Sequence, residues 1–342
     1  MTSPTHTEIT IKAPGDLVAA IPHLLGFHPA DSLVVLGLRG DGTQLGVALR
    51  VDLPPPPGRA RDLARQLVMP LTQQSTKAAT LIVVGAARDE CGPPQVEVLD
   101  IFTGVFGAAG IPVIHRIWTA ATAQGAFWRC YDEPDCKGIV PDPAASPLAA
   151  ATVLAGSVTY GRREDIAATL APEDDDVLVR RAELLRRASE DAEPCHEEPP
   201  ASARLLAAMD ELVRRAGQDA LLLTDDDIVT AAEALADPKV RDACLRFGQP
   251  NEEEAAQRLW TALLRATPAP ECAEPACLLA LAAYLRGDGV LAGIALDRAE
   301  AAYPGHMLTV LLRGALLTGM PPDQLEELVT TASNAARQLL CP

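Results

Sequence analysis

The segment Gly26–Ser32 brings several reactive side-chain types together within a short stretch of sequence. In this segment His28 could act as a general base, Asp31 could orient it, and Ser32 could serve as a nucleophile. Two further catalytic candidates lie just before it in the sequence: His23 and Asp16. Catalytic triads are defined by geometry rather than by closeness in sequence, so the spacing alone establishes no reaction. The pattern therefore yields one alternative hypothesis, a hydrolase or transferase whose site is the segment 26–32.

The same residues also have ordinary structural roles, and we favour these roles over catalysis. Asp16 would lie in the first turn of a helix and His23 in its last turn, where each charge complements the helix dipole. The pair His28–Pro29 would shape a turn, while Asp31 and Ser32 would bind backbone amides of the loop. On this interpretation the segment is a sharp reversal between a helix and a strand.

A second group of candidates lies between Trp128 and Cys136. Cys130 and Cys136 could provide two ligands to a zinc ion, which gives a third hypothesis, a metal-binding protein. A structural zinc site uses four ligands, commonly in close Cys or His pairs, and no second pair follows at a suitable spacing. We therefore predict no metal site, and we expect residues 123–143 to be irregular, with an exposed loop anchored by Trp128. The binding candidates of this loop are Trp128 and Tyr131.

Three acidic runs resemble ligands of a divalent cation: Asp174–Asp176, Asp225–Asp227 and Glu252–Glu254. Each run stands at the predicted start of a helix, where carboxylates satisfy free backbone amides and the helix dipole. Capping is therefore the favoured interpretation of all three runs.

The segment 83–89 follows a predicted buried strand, but it has neither of the glycine-rich motifs that bind phosphate. The sequence thus specifies no cofactor.

Hydrophobic periodicity predicts a mixed α/β sheet in residues 1–143. The predicted strands cover residues 7–11, 32–38, 44–53, 79–85 and 112–119. The turn Gly40–Gly42 makes the second and third of these strands an antiparallel hairpin. A helix at 96–109 separates the last two strands, and this order is typical of a crossover between parallel neighbours. Another helix, at 14–25, is expected to kink or break at Pro22.

The rest of the chain is predicted to be helical. The predicted divisions are a mixed α/β domain at 1–143, a helical extension at 144–188, an acidic, proline-containing linker at 189–200 and an all-α domain at 201–342. Within the last domain, Leu279–Pro304 has the spacing of one tetratricopeptide-like unit, which is a pair of closely packed helices. Gly287 and Asp288 would form the turn between these helices, and both are binding candidates.

Charge restricts the partners that this chain can have. The formal net charge is −17. Residues 1–150 carry 11 Lys and Arg against 14 Asp and Glu, whereas residues 151–342 carry 18 against 32. An acidic surface repels phosphate groups and anionic lipids, and no apolar run is long enough to span a bilayer, so we expect neither nucleic acid nor membrane as a partner. In the absence of an export signal, we expect a cytoplasmic protein whose eight cysteines are reduced thiols.

Four stretches carry a resemblance to a known family: PHLLGFHPADSLVVLGL within 17–38, the loop 128–136, AGSVTYGRREDIAATLAP at 155–172 and AAYLRGDGVLAGIALDRAEAAYP at 282–304. Over nearly its whole length the chain resembles the actinobacterial proteins that carry domain of unknown function 4192. In that family the second loop cysteine is commonly followed by Cys and Pro, whereas Cys136 is followed by Lys137–Gly138. This departure weakens a metal or redox role for the loop. The resemblance implies a fold but no established activity.

The leading hypothesis from the sequence is a non-catalytic binding or scaffolding protein. A pair of packed helices is predicted, and a legible catalytic motif is missing from the sequence. The expected partner is another protein, which would dock on the acidic helical domain.

Overall fold

The computed structural model describes residues 13–40, 44–56, 58–85, 92–154, 156–191, 201–218, 221–248 and 252–340. The predicted strand at 7–11, most of the turn Gly40–Gly42, residues 86–89 and most of the predicted linker lie outside the described residues. The chain divides into two compact units, Met1–Asp165 and Ile166–Pro342. The predicted four-part division remains a prediction.

The described residues of the first unit form a mixed sheet, as the sequence predicts, and it has six strands, of which the last two were not predicted. Its strands are β1 (Ser32–Arg39), β2 (Gln44–Asp52), β3 (Ala78–Val84), β4 (Val113–Thr119), β5 (Phe127–Cys130) and β6 (Lys137–Ile139). Their order across the sheet is β2-β1-β3-β4-β5-β6. β1 pairs antiparallel with both β2 and β3, whereas β3 and β4 are parallel. The predicted hairpin and the predicted crossover are therefore both confirmed.

Helices cover both faces of the sheet. Those of the first unit are α1 (Pro14–Leu25), α2 (Ala60–Gln73), α3 (Val96–Ala108) and α4 (Pro147–Leu154). On one face Leu33 and Val35 of β1 pack with Phe102 and Phe106 of α3 in a single buried cluster. The alternate residues of β1 point to the opposite face and are equally buried, which explains why this strand is a continuous apolar run rather than an alternating one.

Two expectations for the first unit were wrong. Residues 123–143 are not irregular, because β5 and β6 form an antiparallel hairpin that extends the sheet beyond β4. Trp128 lies in β5 and is 8% exposed, so it anchors the hairpin from within the sheet, while residues 132–135 of the connecting loop are exposed as expected. Helix α1 continues through Pro22, so the expected break at this residue is wrong, and the helix ends before Gly26, which has a left-handed φ of 76°.

The second unit is built from helices. Helix α5 (Arg163–Thr169) crosses the boundary between the units. The helices that follow it are α6 (Asp175–Asp191), α7 (Ala201–Ala216), α8 (Asp225–Ala236), α9 (Pro238–Cys244), α10 (Glu253–Ala266), α11 (Ala273–Leu285), α12 (Gly289–Ala302), α13 (Met307–Thr318) and α14 (Pro322–Leu340). Helices α11 and α12 are neighbours joined by a short turn, so they form an antiparallel hairpin. Helix α6 includes the first three residues of the predicted linker.

The acidic runs stand at helix starts, as predicted. Asp175, Asp225 and Glu253 are the first residues of α6, α8 and α10. At α8 the cap is complete, because the Thr224 hydroxyl accepts a hydrogen bond from the Asp227 amide and the Asp227 carboxylate accepts one from the Thr224 amide. At α10 the residue before the helix, Glu252, makes no side-chain cap.

Candidate functional site

The segment Gly26–Ser32 lies at the edge of the sheet where α/β proteins most often bind ligands. Ser32 starts β1 and is paired with Val84 at the end of β3, and Val84 is paired with Thr119 at the end of β4. The segment therefore lies beside the carboxyl ends of the two parallel strands, the usual place for a site in an open α/β sheet.

His28 is held by a residue that the sequence analysis did not single out. Its Nδ1 lies 2.8 Å from the hydroxyl of Thr122, which is 1% exposed and follows β4. Burial, and secondarily the neighbouring His23, lower the pKa of His28 from its ordinary value. The imidazole is half-buried and favours its neutral form, which can accept a proton. By itself this makes His28 a possible base without a defined nucleophile.

Ser32 is not placed to be that nucleophile. It is fully buried, and its hydroxyl donates a hydrogen bond to the carbonyl of Ala30 at 2.6 Å. The same oxygen accepts a hydrogen bond from Nε of Arg50 at 2.8 Å. The Ser32 hydroxyl therefore donates its proton to the backbone, and its oxygen is also bound by the Arg50 guanidinium. Ser32 and His28 have separate partners and form no hydrogen-bonded pair with each other.

Asp31, which lies between His28 and Ser32 in the sequence, has a constrained backbone conformation. Its φ is 41°, in the left-handed region that non-glycine residues rarely adopt, and its carboxylate side is exposed. Gly85 packs against it so closely that an added Cβ would lie 2.9 Å from the Asp31 backbone nitrogen. The Asp31 carbonyl accepts a hydrogen bond from Leu53. These contacts fix the reversal that leads into β1.

The other two catalytic candidates have structural partners. His23 places Nδ1 3.0 Å from the Thr159 hydroxyl and Nε2 3.0 Å from the Pro143 carbonyl. Since a carbonyl only accepts, Nε2 carries the proton and Nδ1 accepts from Thr159, so both ring nitrogens are used. Asp16 is exposed and accepts a hydrogen bond from the Ala13 amide at the start of α1.

The residues of the β5–β6 hairpin are mostly used for packing. Trp128 lies between Gly15 of α1 and Gly138 of β6, because a Cβ added at either glycine would come within 3.0 Å of its ring. The Tyr131 hydroxyl donates to the Pro94 carbonyl at 2.6 Å, and burial raises the pKa of Tyr131. Neither residue therefore offers an open binding surface.

Cys130 and Cys136 are joined in a disulfide, which corrects the expectation that all eight cysteines are reduced thiols. Their positions are directly opposite each other beyond the β5–β6 ladder, with a Cα–Cα distance of 5.4 Å. A disulfide leaves no thiolate for a metal. Among the described residues, no group of three or more His, Cys, Asp or Glu side chains is placed to hold a metal ion.

In the second unit the predicted binding candidates shape a turn. Gly287 has a φ of 82°, and the Asp288 carboxylate accepts a hydrogen bond from the Leu291 amide at the start of α12. Burial raises the pKa of Asp288. Both residues therefore contribute to the connection between α11 and α12.

A buried polar cluster in the second unit was missed by the sequence analysis. The Cys277 sulfur lies 3.6 Å from Nδ1 of His306, and Nε2 of His306 lies 3.0 Å from the Glu274 carboxylate. The order resembles a Cys-His-Glu triad, but Cys277 is fully buried and burial raises the pKa of its thiol to about 12. A thiol in this state is inert, so the cluster fixes α11 to the start of α13.

Helix α13 has the most unusual surface of the second unit. Its sequence MLTVLLRGALLT contains one charged residue, Arg313, and is apolar all round. One side is buried through Leu312 and Ala315. The opposite side, which we call the α13 face, is exposed and consists of Met307, Val310, Leu311, Gly314 and Leu317. A helix that is apolar on every side is typical of one that is covered on every side.

A groove runs beside this face, between α12 and α13. Its lining includes Asp297 and Glu300 from α12 and Val310, Arg313 and Leu317 from α13. Arg313 forms an ion pair of 3.0 Å with Asp297 across the groove. The groove therefore combines apolar residues with a rim of two carboxylates, of which Asp297 is paired with Arg313. The periodicity of residues 307–317 is the sequence signal that could have revealed it.

Together these features define the class: an α/β unit with a mixed sheet, followed by a helical unit. The family model described as "Domain of unknown function (DUF4192)" matches residues 14–323. The chain belongs to this family, as the resemblance in the sequence indicated. No curated protein and no solved structure matched the chain. In the part of the chain that the structure describes, every helix is too short or too polar to cross a bilayer.

Proposed function

We propose that the protein is a non-catalytic binding protein, and that its helical unit docks an amphipathic helix of another protein on the α13 face. The observation that carries this proposal is the exposure of an apolar surface on a helix that is apolar all round. Met307, Leu311 and Leu317 are each more than 60% exposed. Contiguous apolar surface of this kind commonly marks a site of protein association.

The shape of the surface favours a helix as the bound element. Met307, Val310, Leu311, Gly314 and Leu317 follow the i, i+3, i+4, i+7, i+10 spacing of a single helical stripe. Gly314 has open space around the position of a Cβ, which permits close approach of another backbone. Apolar stripes of two helices packed side by side are the helix-in-groove mode of recognition.

Charge favours a basic partner over a second copy of the chain. On the α12 rim Asp297 is paired with Arg313 and Glu300 adds a second carboxylate, and the whole chain carries a net charge of −17. Two such chains repel each other, whereas a helix with Lys or Arg beside its apolar stripe is attracted. We extend the proposal to a cytoplasmic location and to a tetratricopeptide-like character of the α11–α12 hairpin.

The two alternatives from the sequence have less support. A hydrolase or transferase at 26–32 with Ser32 as its nucleophile requires a free Ser32 hydroxyl, and this hydroxyl has other partners. A metal site at Cys130 and Cys136 requires free sulfurs, and these two are bonded to each other.

Selection from a displayed library of helical peptides tests the proposal. We expect enriched peptides to share apolar residues at i, i+3 or i+4 and i+7, flanked by Lys or Arg, and to bind more weakly as salt is raised. Light scattering of the unbound protein over a range of concentrations is the accompanying control. A library without an enriched class would contradict the proposal. Self-association that is lost on substitution of Leu311 would instead assign the face to a second copy.

A further inference from the structure

We propose that the Cys130–Cys136 disulfide is a reversible modification site, which exchanges with dithiol reductants through the sulfur of Cys136. The bond joins Cys130 and Cys136 to each other, and the loop between them, 131–135, contains no other cysteine. The inference is independent of the α13 face. The disulfide has no part in the binding function proposed for the α13 face.

Exposure decides which sulfur is attacked. Cys130 lies in β5 and is 6% exposed, whereas Cys136 is partly exposed at the end of the loop that precedes β6. The four loop residues 132–135 are all exposed, so a reductant can reach the Cys136 side of the bond. Exchange requires an in-line approach to one sulfur, and only the accessible one offers it.

The other cysteines of the described ranges are protected from this chemistry. Cys244, Cys272 and Cys277 are buried. Burial raises the pKa of all three thiols, which suppresses the reactive thiolate form. Within the described part of the chain, thiol chemistry is therefore directed to the hairpin.

The exchange proceeds in two balanced steps. A thiolate of the reductant attacks Sγ of Cys136, forming a mixed disulfide, while the bond to Cys130 breaks and Cys130 leaves as a thiolate that takes up a proton. The second thiolate of the reductant then attacks the reductant sulfur that is bonded to Cys136 in the mixed disulfide. Cys136 is released as a thiolate, which takes up a proton. Two electrons pass to the protein, and the reductant becomes a disulfide. A disulfide of the same class reverses both steps.

The structural consequence is confined to the hairpin. The disulfide closes a small loop with a sequence separation of 6 residues. Beyond it, Val140 is buried and its amide donates to the Ala126 carbonyl at 2.8 Å, so the far end of the hairpin keeps its own attachment. Reduction should therefore loosen residues 131–139 and leave the rest of the sheet in place.

Differential alkylation read by mass spectrometry tests the inference on the intact wild-type protein. After incubation with oxidised glutathione, both cysteines should resist alkylation, and after dithiothreitol both should be labelled without denaturant, reversibly. Hydrogen exchange in 131–139 should rise at least tenfold on reduction, with circular dichroism unchanged. Two free thiols after oxidation, or reduction only in denaturant, would overturn the inference.

Single variants test the assignment of the attacked sulfur. Cys130→Ser leaves Cys136 alone and should react with a thiol reagent at least tenfold faster than Cys136→Ser, which leaves the buried Cys130. Equal rates would contradict the assignment to Cys136. If either variant fails to fold, the position of glutathione in the mixed disulfide of the wild-type protein decides the same point.

Discussion

Replacing Leu311 and Leu317 with glutamine is expected to weaken binding of the selected helical peptide about 100-fold, since each buried leucine contributes roughly 1.5 kcal/mol. Both side chains are more than 60% exposed in the unbound protein, so the double variant should fold normally. Glutamine keeps the length and the helix propensity of leucine and adds no charge. Titration calorimetry measures the affinity, and circular dichroism confirms the fold.

A matched control lies on another helix of the same unit. Val179 of α6 is 71% exposed and is equally apolar. Val179→Gln should leave the affinity within twofold of the wild type. Equal losses in the control and in the α13 variant would show that the effect is one of general surface polarity, and the assignment of the α13 face would then be incorrect.

The largest expected effect on stability comes from Arg181, which is 7% exposed in α6. It binds Glu173 at 2.7 Å, Asp225 at 3.0 Å and the carbonyl of Ala266 at 2.8 Å. These contacts connect the start of α8 and the end of α10 to α6. Arg181→Ala leaves Glu173 and a helix-end carbonyl without their cation and leaves Asp225 with Arg180 alone. We expect a loss of about 3 kcal/mol for a buried pair whose carboxylates keep some water. Urea denaturation of the wild type and the variant measures this loss in the free energy of unfolding.

The control for this prediction is on the same helix. Arg186 is exposed and pairs with Glu183 and Glu190 within α6. Arg186→Ala should leave the unfolding midpoint unchanged within error, because exposed pairs within a helix contribute little. A midpoint shift as large as that of Arg181→Ala would contradict the special role of the buried arginine.

Acid unfolding checks the same interaction. Hydrogen bonds from Arg181 and then Arg180 lower the pKa of Asp225 below its ordinary value of 3.8. The stability contributed by this lowered pKa is complete above 3.8 and is lost as the pH falls through the lower value of the folded state. In Arg181→Ala the loss of stability between pH 5 and pH 3 should accordingly be shallower.

The regular elements could be predicted because local periodicity determines them. β1 and β3 consist mainly of apolar residues, and the order of strand, helix and strand through α3 leaves few topologies. The acidic runs at helix starts were equally legible, since capping depends on neighbours in sequence. The fold of both units is thus largely a consequence of local pattern.

The hairpin β5–β6 could not be predicted in this way. Its strands have only four and three residues, which is too short for a periodic pattern to be recognised, although Phe127, Trp128 and Ile139 are residue types that favour strands. They are strands because β4 provides an edge for hydrogen bonding and because Trp128 fills the space between Gly15 and Gly138. Both causes are tertiary contacts, and one of them brings in Gly15 from the first helix of the chain.

The contacts of the candidate site were hidden for the same reason. His28 meets Thr122 across 94 residues and His23 meets Thr159 across 136, and neither threonine belongs to a catalytic motif in the sequence. Proximity in sequence suggested a pair between His28 and Ser32 that the structure does not bring together. Arg50, the partner of Ser32, reaches it from β2 only after the sheet has formed.

Hydrogen–deuterium exchange of the full chain with and without the selected peptide tests the central proposal most directly. We predict that protection will increase in residues 297–317, where α12 and α13 border the groove, and will be unchanged in the segment 26–32. Increased protection at 26–32 or at 113–131, with none in α13, would contradict the proposal and assign the binding to the edge of the sheet.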